Sequence, residues 1–201
     1  MLVFVARIVV KNDAASRPLR ADARRNREKL LSVALLAFTE HGADASLEGI
    51  ARGAGVGIGT LYRHFPTRES LILEVYRNEL EQLGAAATEL LQTLPPDEAL
   101  RAWLQRTARY SITKHGLANA LNSVVSTDAA APNKYDLLSG ALAKLLEAGA
   151  GAGVIRDDVS PDDMLLAMSG LWRLDTQGDW QGQAKRLIDL LMDGLKVGAT
   201  K

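Results

Sequence analysis

The chain has 201 residues, of which 47% are hydrophobic, and its 24 basic and 24 acidic side chains give a formal net charge of zero. A chain of this length can bury the core of one large domain, or of a small domain joined to a medium one. The absence of cysteine excludes disulfides, thiolate zinc sites and cysteine nucleophiles, and it fits a cytoplasmic location.

The first ten residues, MLVFVARIVV, are apolar but are interrupted by Arg7. They lack the basic leading region of a signal peptide and fall far short of the ~20 residues that span a bilayer. We therefore expect residues 1–21 to be a disordered extension and expect no membrane partner.

Charge is unevenly distributed between the two parts of the chain. Residues 1–68 carry 11 Lys and Arg against 6 Asp and Glu, or +5, whereas residues 69–201 carry 13 against 18, or −5. The zero total argues against a nucleic-acid partner, but a basic first part on an acidic body is typical of a DNA-binding head.

Apolar residues recur at spacings of three and four after the extension, and alternating β-branched runs are almost absent, which predicts an all-α fold. The first helix is predicted from Asp22 to His41, with Gly42 ending it. Its apolar face comprises Leu30, Leu31, Ala34, Leu35 and Phe38, and its start carries Arg24, Arg25, Arg27 and Lys29.

Two short helices with a glycine-containing turn are predicted next. Ser46 can cap a helix from Leu47 to about Gly53, because its hydroxyl can accept a hydrogen bond from an orphan amide. Gly55 can supply the turn's unusual backbone angle before a helix from about Gly57 to His64. This is the layout of a DNA-reading helix-turn-helix.

The rest of the chain is predicted to form a helical body. A long helix over about 68–94 is closed by two prolines, and further helices are expected at about 97–115, 117–125, 135–149, 161–174 and 182–197. We predict three parts: the extension 1–21, a helix-turn-helix domain 22–67, and a ligand-binding and dimerisation domain 68–201.

The stretch SLEGIARGAGVGIGTLYRHF, residues 46–65, with the Arg-rich helix before it and PTRESLI after it, resembles the N-terminal domain of the tetracycline-repressor (TetR) family. From Trp103 to Trp172 the chain is similar to the sensor half of the SbtR-like branch. The resemblance implies a homodimeric transcriptional regulator, expected to be a repressor that an unknown small molecule releases from a palindromic operator in double-stranded DNA.

The expected DNA contacts lie mainly on the third helix, which must offer small residues for close approach and donors for phosphates and bases. The resemblance implies phosphate contacts by Thr60, Tyr62 and His64, and an anchor for the connector helix at Arg68. It implies base reading by Ile58, Gly59 and Arg63. The full predicted set is Arg24, Arg25, Ser46, Gly57, Ile58, Gly59, Thr60, Tyr62, Arg63, His64 and Arg68.

Alternatives remain open for several of these residues. Tyr62 could pack between helices, His64 could be an ordinary helix end, and the arginines of the first helix could form a solvated face. Many family members carry a polar residue where Ile58 or Gly59 stands here. An apolar Ile58 cannot donate to a base, but it can meet a thymine methyl group.

The sensor is expected to contain an apolar cavity with a few polar groups. Its predicted lining is Trp103, Thr107, Tyr110, Lys114, His115, Asn119 and Asn122. Ordinary core is the alternative for Trp103, and solvent is the alternative for Lys114. The mixture favours a mid-sized, partly apolar ligand with a polar or anionic group.

Two apolar stripes near the C-terminus predict the dimer interface. One comprises Leu165, Met168 and Trp172, and the other Leu187, Leu190, Leu191 and Leu195. Burial of both stripes inside one subunit is the alternative.

An all-helical enzyme or a ligand carrier without DNA binding is the rival interpretation. The chain has only three histidines, which argues against a histidine-based catalytic triad or a histidine metal cluster. No enzymatic activity, metal or cofactor is therefore predicted. The glycine-rich runs 53–59 and 149–154 match neither phosphate-loop spacing nor its strand context.

Overall fold

The computed structural model describes residues 16–116, 134–174 and 178–198. In these ranges the chain forms eight α-helices and two short 3-10 helices, and its only extended pairing there is a single bridge between Ile155 and Lys196. The predicted all-α fold is confirmed. The elements are α1 (Ser16–His41), a 3-10 turn (Gly42–Asp44), α2 (Leu47–Gly53), α3 (Ile58–His64), α4 (Arg68–Thr93), α5 (Pro96–Gly116), α6 (Lys134–Gly151), α7 (Pro161–Ala167), a second 3-10 helix (Met168–Arg173) and α8 (Trp180–Leu195).

Two helices differ from the sequence prediction. Helix α1 begins at Ser16 rather than Asp22, because Pro18 is tolerated in a first turn and the residues around it are good helix formers. The predicted helix 161–174 is instead α7 followed by a 3-10 helix that contains Gly170, a residue that weakens helix interiors. The predicted helix 117–125 and residues 1–15 lie outside the described residues.

A first hydrophobic cluster forms the core of the head, the unit built from α1, α2 and α3. Helices α1, α2 and α3 bury their apolar faces against one another, and the fully buried side chains include Leu30, Phe38, Ile50, Leu61 and Phe65. The start of α4 completes this cluster with Leu71, Ile72 and Val75. The head core therefore extends into the connector helix.

A second cluster fills the body between α4, α5, α6, α7 and α8. Trp103 is fully buried at its centre, and its indole Nε1 donates a hydrogen bond to the Leu83 carbonyl at 2.9 Å. Tyr76 packs against both clusters. The two cores thus meet within α4, so this one helix links the head to the body.

Candidate DNA interface and ligand cavity

The turn between α2 and α3 is built by local hydrogen bonds. The Ser46 hydroxyl accepts from the Gly49 amide at 3.1 Å and so caps α2 as predicted. After α2 the Gly55 amide donates to Arg52 O and the Val56 amide to Ala51 O, each at 3.0 Å. Gly55 adopts a φ of +71°, where a glycine is favoured. This Schellman arrangement ends α2 and sets the direction in which α3 leaves the turn.

Helix α3 has one buried side and one outward side. Leu61 and the following Phe65 are buried in the head core. The outward side carries Ile58, 36% exposed, Tyr62, 46% exposed, and an exposed Arg63. The predicted contact residues Thr60 and His64 are half-buried at the margin of this side.

Two glycines leave the first turn of α3 open. Gly57 precedes the helix as its N-cap and Gly59 lies within it, and a Cβ atom built on either would meet nothing within 4 Å. Ile58 between them therefore projects from a nearly bare backbone. This surface can approach a DNA groove closely, with an apolar side chain at its tip.

Arg68 ties the connector helix to the head. Its Nη1 donates to the Ala45 carbonyl at 2.7 Å, across 23 residues of sequence. Thr67 and Ser70 form a reciprocal capping box at the start of α4. The loop before α2 is thereby fixed to the start of α4, next to the recognition helix.

The three arginines predicted near the start of the first helix divide into two groups. Arg24 and Arg25 are exposed and pair with acidic residues of their own helix. Arg24 pairs with Glu28 at 3.5 Å, and Arg25 pairs with Asp22. Arg27 is different, because its guanidinium lies 5.5 Å from the centre of the Phe65 ring and pairs with Glu74 of α4. Arg27 thus joins α1 to α4, and the interpretation as a purely solvated face is wrong for it.

The predicted sensor residues fall into different environments. Trp103 and Thr107 are fully buried, and the Thr107 hydroxyl donates to the Trp103 carbonyl at 3.0 Å. Both are therefore core residues, and neither lines the cavity beside Tyr110. The side chains of Lys114 and His115, and all of Asn119 and Asn122, lie outside the described residues.

Tyr110 does line a cavity, of about 710 Å³, whose walls come from α1, α4, α5 and the start of α8. Its ring contacts Tyr76 at 6.0 Å and the edge of Trp172 at 5.9 Å between ring centres. Burial is the main cause that raises the pKa of the Tyr110 hydroxyl well above its usual range, so this hydroxyl stays neutral.

Sequence reasoning missed the other residues of this cavity, which include Leu36, Glu79, Arg106 and Trp180. A signal for Glu79 was present, because it lies three residues after Tyr76 and four before Leu83 on the apolar side of α4. Burial raises the pKa of the Glu79 carboxyl. A carboxyl on an apolar helix face is costly unless it has a partner or a function.

The predicted dimer stripes are divided by the fold. Met168 and Leu195 are buried within the subunit, where they pack in the body core. Leu190 of α8 is 70% exposed, and Leu166 of α7, outside the predicted stripes, is 75% exposed. One subunit thus leaves a leucine exposed on α7 and another exposed on α8.

Other classes of site find little support in the part of the chain described. It contains no group of three or more His, Cys, Asp or Glu residues placed to hold a metal ion. None of its helices is both long and apolar enough to cross a membrane.

Comparison with known proteins agrees with this geometry. Residues 30–75 match the family "Bacterial regulatory proteins, tetR family", and residues 95–197 match the family "Transcriptional regulator SbtR-like, C-terminal domain". The chain belongs to the TetR family. It is a DNA-binding transcriptional regulator, and regulators of this family bind DNA and small-molecule ligands and act as dimers.

Solved structures extend the similarity over most of the chain. A TetR transcriptional regulator from Streptomyces coelicolor is 46% identical, with a TM-score of 0.79 over 86% of this chain and 99% of that one. A TetR regulatory protein from Mycobacterium vanbaalenii is 34% identical, with a TM-score of 0.74 over 90% and 100%.

Among curated proteins, an HTH-type transcriptional regulator of Staphylococcus aureus is 38% identical over 64 residues, or 31% of this chain. The match spans only about a third of that relative, 35% of its length. This similarity therefore does not extend to a whole sensor domain.

Proposed function

We propose that this TetR-family regulator is a homodimeric repressor that leaves a palindromic operator when a small molecule binds its helical body. It would act in the cytoplasm on double-stranded DNA, with no enzymatic activity. The predicted division into residues 1–21, 22–67 and 68–201 is modified at its first boundary, because α1 begins at Ser16, and α4 contributes to both cores. The observation that carries the proposal is the outward side of α3.

On this side of α3, apolar, hydroxyl and cationic groups follow one another within one short helix. In this proposal Arg63 reads a base edge, and Ile58 and Gly59 approach the groove. Thr60, Tyr62 and His64 contact phosphates, with Ser46 and Gly57 flanking them. The exposed Arg24 and Arg25, together with Arg68 at the start of α4, add positive charge beside α3. This charge would attract the phosphate backbone of DNA.

The dimer proposal rests on the open surface of α7 and α8. Two leucines that are at least 70% exposed, Leu166 and Leu190, lie on helices whose inner sides are already packed. Both helices contact the second 3-10 helix, and regulators of this family act as dimers, which supports an interface that includes these two leucines. Pairing two copies here would present two heads to successive major grooves, about 34–36 Å apart.

Fluorescence anisotropy with the DNA upstream of the protein's own gene tests the proposal. Specific binding should exceed binding to a scrambled duplex of equal length and composition by at least about a thousandfold at physiological salt. Equal affinity for both duplexes would contradict operator recognition.

Sedimentation equilibrium at micromolar concentration without DNA tests the dimer. We expect twice the chain mass of 21.7 kDa. Leu190→Arg should give the 21.7 kDa species. Leu36 on α1 is equally exposed, and Leu36→Arg should remain dimeric. A monomeric wild-type protein would rule the dimer out.

A further inference from the structure

The cavity beside Tyr110 is bounded by parts of both clusters. Its α1 wall is formed by Leu35, Leu36 and Thr39, in the C-terminal half of the first head helix. The opposite walls come from α4, α5 and the first residues of α8, which belong to the body. A molecule in this cavity would therefore touch the head and the body at once.

Some of the charged side chains around the cavity have interaction partners within the described part of the chain, and one does not. The Arg106 guanidinium lies 4.0 Å from the Glu89 carboxylate, and Arg109 has an interaction partner of its own. Glu79, by contrast, is partly buried, and no hydrogen bond or ion pair to it is found among the described residues, so burial alone accounts for its raised pKa. Glu79 is therefore a negative charge in this lining for which the described residues supply no counterion.

The neutral part of the lining is apolar and aromatic. Tyr110 and Trp180 contribute rings, and Leu35, Leu83 and Ile112 contribute aliphatic surface. Aromatic faces attract cations, and the attraction grows when water is excluded. A hydrophilic ion would lose its hydration on this surface, whereas a cation with an apolar body would bury that body as its charge meets the carboxylate.

We propose that this junction cavity binds an organic cation with an apolar body, with Glu79 as its counterion and Tyr110 and Trp180 as its aromatic walls. The sequence predicts a partly apolar ligand with a polar or anionic group, and the described lining favours a cationic group instead. Burial raises the pKa of Glu79, and a bound cation would offset the cost of keeping this carboxylate ionised.

The regulatory part of this inference rests on the proposed function. A ligand shifts an equilibrium only if its affinity differs between the two states. Because α1 forms one wall, the width of the cavity depends on how the head sits against α4 and α5. A cation that fills the cavity in one head position would stabilise that position and change the spacing of the two heads.

A pair of probes with matched shape and opposite charge tests the site. Binding of tetraphenylphosphonium and of tetraphenylborate to the free protein is measured by isothermal titration calorimetry at pH 7.5 (about neutral, where carboxylates are ionised). We expect tetraphenylphosphonium to bind and tetraphenylborate to bind at least about tenfold more weakly, a factor well within what a close charge pair supplies. Preference for the borate, or no preference, would overturn the assignment.

Variants locate the bound cation. Glu79→Gln should weaken tetraphenylphosphonium binding at least about tenfold, whereas Glu81→Gln, an exposed acid on the same helix, should leave it unchanged. Leu36→Lys adds a cation to the α1 wall at a 70% exposed position and should also weaken binding. Binding that survives both Glu79→Gln and Leu36→Lys would place the probe elsewhere and overturn the proposal.

Operator binding is then measured with and without tetraphenylphosphonium, so that the two proposals fail separately. Wild-type protein should lose operator affinity in the presence of the probe, and Glu79→Gln protein should not. If specific operator binding is absent without the probe, the proposed function fails while the cation site stands on calorimetry. If operator binding is present and the probe does not bind, the cation site fails alone.

Discussion

Replacing Ile58 with alanine should remove an apolar contact between α3 and a thymine methyl group. Ile58 is 36% exposed and lies between Gly57 and Gly59, where an added Cβ would meet nothing within 4 Å. If α3 enters the groove as proposed, the Ile58 side chain is the group that would meet it first. Burying one methyl-sized group is worth about 0.8 kcal/mol. Removal of the thymine methyl from the DNA should therefore weaken the binding of wild-type protein about fourfold for one half-site. Removal from both half-sites of a palindrome should weaken it about fifteenfold.

The assay replaces each operator thymine in turn with deoxyuridine, which removes the methyl and leaves the base pair unchanged. Wild-type protein should show one sensitive thymine per half-site by fluorescence anisotropy. Ile58→Ala protein should bind the normal operator more weakly but lose sensitivity to deoxyuridine at that position, as a double-mutant cycle requires for two groups in contact. Leu36→Ala, on α1, serves as the matched control and should keep the sensitivity.

Two results would refute this reasoning. One is an operator on which no single thymine-to-deoxyuridine change weakens wild-type binding. The other is an Ile58→Ala protein that stays as sensitive as wild type at the same thymine. Thermal unfolding monitored by circular dichroism should show that the variant remains folded, because the fully buried residues of the head do not include Ile58.

Arg63→Ala should cost ~1 to 3 kcal/mol on the preferred operator and flatten discrimination at one base pair per half-site, whereas Tyr62→Phe should weaken preferred and scrambled DNA by similar factors; binding to a panel of half-site substitutions at fixed salt checks both, and the opposite pattern would mean that the two roles are reversed. Operator affinity should fall steeply with salt, with a slope of about −0.9 per neutralised phosphate on logarithmic axes, and a flat titration would contradict a basic interface. Gly149→Ala should destabilise the fold by ~1 to 3 kcal/mol in urea unfolding, because its Cβ would lie under 3 Å from three side-chain atoms of Ile155. Gly140→Ala on the same helix, where a Cβ meets nothing within 4 Å, should be neutral or stabilising, so equal effects of the two would refute the packing argument.

Local chemistry made the recognition unit predictable. The Ser46 cap, the positive φ at Gly55 and the buried Leu61 each depend on residues only a few positions away, so the sequence pattern was sufficient to locate the turn and the buried side of α3. The same is true of the apolar face of α1. These features also carry the resemblance to the TetR family.

The identity of the partner across each packed face was decided by the tertiary structure. Arg24, Arg25 and Arg27 are indistinguishable by sequence pattern, yet only Arg27 meets Phe65 and Glu74, because α3 and α4 pack against that side of α1. Trp103 can be buried in the body core because the Leu83 carbonyl of α4 accepts the hydrogen bond of its indole N–H.

The cavity and the open leucine surface also depend on packing between distant helices. Periodicity shows that a helix face is apolar, but it does not show how much of that face its own subunit covers. Met168 is covered and Leu190 is not, although both belong to the predicted stripes. Glu79 faces a cavity because α1, α5 and α8 supply the other walls at its level, and these walls bring together residues far apart in the chain.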